Sequence, residues 1–96
     1  MTGKLKMDRG SGNVFADIGF LPGEAHNLSL RAELMSQIRK ASNGLTQAEA
    51  ARKFGVTQPR MNDLLRGKID KFSLDALVNM LGKAGLHVEV QVRKAA

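Results

Sequence analysis

Residues 44–68 read GLTQAEAARKFGVTQPRMNDLLRGK, two short helical patterns with a glycine at the join. Thr46-x-x-Glu49 is a capping box at the start of the first pattern: the hydroxyl accepts from an early backbone amide and the carboxylate reaches back. Ala48, Ala51 and Phe54 follow at i, i+3 and i+6, and Gly55 supplies the stop. Thr57 caps the second pattern, with Pro59 in its first turn, where a missing amide hydrogen costs little. Met61, Leu64 and Leu65 form its inner face, and Gly67 ends it. Isolated helices this short are marginal in water, so each needs the other and a core beneath them.

Ala50 and Ala51 are small enough to let a second helix cross closely over the first, and Gly55 permits the sharp turn. Val56, Met61 and Leu64 fill the gap between the two. That arrangement is a helix-turn-helix. Its second helix presents polar N-terminal residues outward, where base edges in a major groove are within reach.

Working outward, residues 24–42 carry a helical stripe of Leu30, Leu34, Ile38 and Ala41, widened by Leu28 and Met35, and Asn43-Gly44 stops it. Ser73 caps a further helix, with Asp75 in its first turn and a stripe of Leu74, Leu77, Val78 and Leu81. The period then changes. Val88, Val90 and Val92 alternate with Glu89, Gln91 and Arg93, as a strand with one apolar face does. A lone strand has unpaired edges. With no second good strand pattern in the chain, pairing with the same strand of another copy is the preferred expectation, and a frayed tail the other. Residues 1–13 read as a flexible arm, residues 14–23 as an apolar segment closed by Pro22-Gly23, and residues 24–96 as the helical domain with its terminal strand. The expected fold is mainly α.

The 96 residues suffice for one small domain. There is no Cys, which excludes disulfides, thiol catalysis and Cys-based zinc sites. Four aromatic residues, none of them Trp or Tyr, are too few for a base-stacking surface. No apolar run approaches the ~20 residues needed to cross a bilayer, and a cytoplasmic protein is expected. His26 and His87 are isolated in sequence, and no nucleophile–base pair or phosphate-cradling glycine loop occurs. Neither enzymatic activity nor a cofactor is expected. Net charge is +6. Residues 39–71 hold eight Lys and Arg against three Asp and Glu, so the excess is concentrated around the quoted stretch. A polyanionic partner fits that placement.

The run TQAEAARKFGVTQPRMNDLLRGK resembles the helix-turn-helix of the Xre/Cro family of phage-type repressors, through Gln47, Ala51, Gly55, Val56, Thr57-Gln58, Met61, Leu64 and Arg66-Gly67-Lys68. GNVFADIGF, KIDKFSLDALVNML and GLHVEVQV are similar to the flanking segments of a narrower group, the HigA-type antitoxins. The resemblance implies a lambda-repressor-like domain of four to five helices with a C-terminal β-strand, acting as a homodimeric repressor on an inverted-repeat duplex. By the family's docking mode, Gln58 and Arg60 read bases, with Asn62 and Asp63 as secondary readers; Gln suits adenine, Arg guanine and Asp cytosine. Pro59 departs from the polar residue common there and offers only apolar contact. Gln47 and Thr57 contact phosphate or brace the readers, and Thr57 as a helix cap is compatible with either. Arg66, Lys68 and Lys71 are expected backbone contacts, with a solvated loop as the other reading. Val14, Phe15, Ile18 and Phe20 either finish the core or, as the antitoxin resemblance implies, contact a small ribonuclease toxin of the RelE/HigB class. The alternatives are a stand-alone phage-type regulator without a toxin and a non-specific nucleoid-like protein.

Overall fold

The computed structural model of the chain describes residues 3–6, 13–18 and 23–90. Along the chain run β1 (Gly3–Lys6), β2 (Asn13–Ile18), α1 (Gly23–Ala41), α2 (Gln47–Phe54), α3 (Gln58–Leu65), a 3₁₀ turn (Ile69–Lys71), α4 (Leu74–Lys83) and β3 (His87–Val90). The described structure is mainly helical and ends on a short strand, as the sequence pattern implies.

Local chemistry sets the helix boundaries. Thr46 is extended, its hydroxyl accepts from the Glu49 amide, and its own amide donates to the Glu49 carboxylate at 2.8 Å. Gly55 is left-handed at φ 69°, and the Val56 amide turns back to the Ala51 carbonyl at 2.9 Å. That closes α2 and starts the turn into α3. Thr57 and Ser73 cap α3 and α4 through the amides of Arg60 and Ala76.

Leu34 and Ile38 of α1, Phe54 of α2, Met61 and Leu64 of α3, Phe72, and Leu77 and Leu81 of α4 are all buried to within about 1% of complete exclusion from solvent. Ala50 and Ala51 are buried where α2 meets the rest of the core. α1 therefore serves as the platform, and α4 packs on both α1 and α2. Two residues of the expected stripes face solvent instead: Leu28 and Val78 are exposed, and on α4 Met80 takes the inward place.

The strands depart further from expectation. β1 pairs antiparallel with β2 (Gly3↔Ile18 to Lys6↔Phe15) and with β3 (Leu5↔Val90, Lys6↔Glu89). β2 pairs parallel with β3 (Asn13↔His87, Val14↔Val88). Each strand thus pairs with both others, and β2 also packs against α1. Gly3–Lys6, expected to belong to a flexible arm, is a strand, and Val14, Phe15 and Ile18 lie in β2. Val88 and Val90 find their partners inside the chain, which removes the reason for pairing them with a second copy. A strand's free amides and carbonyls need partners, and β1 and β2 provide them here. Phe20 and Val92 lie outside the described residues.

Candidate nucleic-acid interface

α3 has an inner face of Met61 and Leu64. At spacings of three and four on the opposite side run Pro59, Asn62, Asp63 and Arg66. Gln58 and Pro59 are exposed at the N-terminal end, Asn62 and Asp63 are half-buried, and Arg66 is exposed at the C-terminal cap. Pro59, whose side chain has no hydrogen bond to offer, stands at the N-terminal end of this outward row.

One flank of the row is tied to α2. Gln47, the first residue of that helix, donates from Nε2 to Asn62 Oδ1 at 3.1 Å. This contact links the start of α2 to the middle of α3 and fixes how Asn62 is presented. Thr57 is exposed, so its capping hydroxyl stays within reach of a ligand.

The other flank is tied to the 3₁₀ turn. Lys68 Nζ and Lys71 Nζ lie 3.4 and 3.7 Å from the two oxygens of Asp63. Both lysines are more exposed than the carboxylate between them, at 43% and 56% against 23%. Exposed pairs of this kind are worth roughly 0–1 kcal/mol, so a phosphate can compete for the lysines.

Arg60 is not part of the outward row. Its guanidinium carbon lies 4.4 Å from the centroid of the Phe72 ring, and its Nη1 donates to the Lys71 carbonyl at 3.3 Å. The expected guanine reader is thus engaged with the chain's own loop. Readout by Arg60 would require leaving both contacts.

Two residues outside the expected set join this region. Arg31 of α1 donates from Nη1 to the carbonyls of Ile69 and Phe72 at 3.2 and 3.3 Å. Its Nε is buried without a hydrogen-bond partner among the described residues. Arg39, near the end of α1, reaches the turn after α3: a Cβ placed on Gly67 would lie 3.8 Å from its Nη1. Only their charge marked these arginines in the sequence; their destinations depend on how α1 packs.

The Glu49 carboxyl is held below the usual glutamate value, first by the Thr46 backbone amide, then by the Thr46 side chain. It serves the start of α2. Among the described residues no group of three or more His, Cys, Asp or Glu gathers as metal ligands do, and no helix is long and apolar enough to cross a membrane.

The region therefore joins an outward polar helix face, a bracing glutamine and two displaceable lysines. No curated protein matches the chain. The model of a helix-turn-helix domain family matches residues 14–93, most of the chain, and the chain belongs to that family of DNA-binding regulators.

Proposed function

We propose that this protein is a sequence-specific transcriptional repressor that reads duplex DNA with the outward row of α3 and with Gln58 at the start of that helix. Gln58, Asn62 and Asp63 are the base readers, and Pro59 contributes apolar contact, as to a thymine methyl. Gln47 and Thr57 brace the readers or contact phosphate, and Arg66, Lys68 and Lys71 contact the backbone. Arg60 acts from behind, by holding the loop. The observation that carries this reading is the α3 row itself: it faces outward along the second helix, is polar beyond Pro59, and is flanked by cations held only in weak pairs. The protein acts by binding and not by catalysis.

The test is selection from a randomised duplex pool, followed by fluorescence-anisotropy titration of the selected duplex and a scrambled one at two salt concentrations. A preference for the selected duplex that survives added salt supports the reading. Equal affinities that vanish together would leave only backbone attraction, the behaviour of a non-specific nucleoid-like protein. Two copies are proposed to bind half-sites about 34 Å apart, so the selected sequence should be an inverted repeat.

We further propose that the protein is the antitoxin of a toxin–antitoxin pair, repressing its own operon and neutralising a small ribonuclease. What supports this is the similarity of the flanking segments to HigA-type antitoxins. The β1–β2 pair, which lies outside the helix-turn-helix unit, is the contact region of choice. Co-expression with the product of the adjacent gene discriminates. Equal toxicity of that product with and without this chain would leave a stand-alone regulator.

A further inference from the structure

We infer that Arg31, on α1 and outside the reading face, is a positioning residue for DNA binding: with Arg60 it fixes the carbonyls of Ile69, Lys71 and Phe72 and so places Lys68 and Lys71 beside α3. The inference rests on the DNA-binding reading proposed for α3 and adds to it a residue from a different helix.

The segment after α3 has little structure of its own. Its 3₁₀ turn is three residues long, held by local bonds from the Lys71 amide to Lys68 and from the Phe72 amide to Ile69, at 3.1 and 3.2 Å. Such turns are short and have poor hydrogen-bond geometry. Guanidinium groups from two helices supply the rest. Arg31 Nη1 bridges the Ile69 and Phe72 carbonyls, and Arg60 Nη1 takes the Lys71 carbonyl between them. The Phe72 ring is buried in the core, with the Arg60 guanidinium over it. The backbone is therefore held from α1, from α3 and from the core at once.

The two lysines hang from this pinned backbone and converge on Asp63. Cations placed in advance lose less freedom on meeting phosphate than cations on a loose loop. Arginine suits the task at position 31 because its planar fork stays charged and presents several donors in fixed directions. Lysine would bring one flexible ammonium, so it should replace arginine only in part.

A mutant cycle on the whole protein tests this. The chains are wild type, Arg31→Gln, Lys68→Ala/Lys71→Ala, and the triple variant, each titrated over a salt series with the selected and the scrambled duplex. Arg31→Gln should weaken both duplexes by the same factor. It should make the plot of log affinity against log salt shallower by about 0.9 for each phosphate no longer neutralised, so by up to about two. In the background lacking both lysines it should have no further effect, and Arg31→Lys should restore part of the slope. An equal weakening in both backgrounds, an unchanged slope in the wild-type background, or an altered base preference would overturn the inference. Thermal unfolding checks the fold; should Arg31→Gln be unfolded at the assay temperature, Arg31→Lys takes its place in the cycle under the same criteria. Wild type without a preference between duplexes would refute sequence reading, yet the slopes on either duplex still decide Arg31. Wild type that binds neither duplex would overturn both.

Discussion

Arg60→Ala is where the structure changes the expected phenotype most. A guanine reader would lose discrimination at one base pair and little stability. The arginine seen here covers the buried Phe72 ring at 4.4 Å and donates to the Lys71 carbonyl at 3.3 Å. A cation over an aromatic ring contributes roughly 0.5–2 kcal/mol, depending on its desolvation. A hydrogen bond from a charged group contributes roughly 1.5–3 kcal/mol. Arg60 is half-buried, so both belong at the low end, and alanine's better helix propensity offsets a few tenths. The substitution should destabilise the fold by about 1–2 kcal/mol. For a domain of this size each kcal/mol moves the midpoint by about 4–8 °C, so the melting temperature should fall by roughly 4–16 °C. Circular dichroism melts and urea titrations measure this directly, and Arg60→Lys should recover only part because lysine lacks the stacking plane. On DNA, affinity should fall for every duplex alike, through the loosened loop. An unchanged melting temperature with a changed preference at one base pair would refute this reasoning and place the guanidinium in the groove.

Other perturbations separate the remaining roles. Asp63→Asn removes the shared partner of Lys68 and Lys71 and should raise affinity for scrambled duplexes while narrowing the gap to the selected one; stability should change by less than about 1 kcal/mol, because the pairs are exposed. Unchanged scrambled-duplex affinity would show that the carboxylate does not compete with phosphate. Gly55→Ala forces a left-handed alanine at φ 69° and should cost about 1–2 kcal/mol in urea unfolding, with the flexible Lys83 stem moving aside at little further cost. An unshifted midpoint would mean that the turn relaxes. Glu49 has a lowered folded-state value, so its stabilisation is present above the unfolded-state value and is lost as pH falls through the lower, folded one. Glu49→Gln should therefore flatten the acid limb of a stability-versus-pH curve. A limb as steep as in wild type would assign the acid sensitivity to other carboxylates.

The helical part of the fold was legible because its signals are local. Thr46 with Glu49, Thr57 with Pro59, and Ser73 each mark a helix start by chemistry that acts within three residues, and the structure bears all three out. The strands were not legible for the opposite reason. Gly3–Lys6 reads GKLK, with one apolar residue among lysines, and its pairing depends on β2, the next strand, whose own pattern is obscured, and on β3 at the far end of the described chain. Asn13–Ile18 reads NVFADI, where an apolar cluster hides the alternation. β3 itself was recognisable by period, but its partners were not, and the expectation of a second copy followed from missing β1 and β2. The 3₁₀ turn carries no capping side chain and no periodic stripe to announce it.

Charge was the least transferable signal, because sequence counts cations and structure decides what they face. Of the basic residues gathered near the two helices, Arg60 is turned onto Phe72 and Lys71, and Lys53 donates to the Ala41 carbonyl at 3.2 Å. Arg31, which lies outside that cluster in sequence, is turned onto the same loop from below. Lys68 and Lys71 meet Asp63 before any phosphate. The direct phosphate contact offered to a duplex is therefore smaller than the local count of Lys and Arg suggests, although the net charge is unchanged. Arg66, Lys68 and Lys71 beside α3, with Arg39 behind the turn at Gly67, supply it. A chain that used its cations this way would neutralise fewer phosphates than its charge allows. In exchange it would hold a fixed loop beside the reading helix, and a fixed register is what lets a short row of polar side chains discriminate between base pairs.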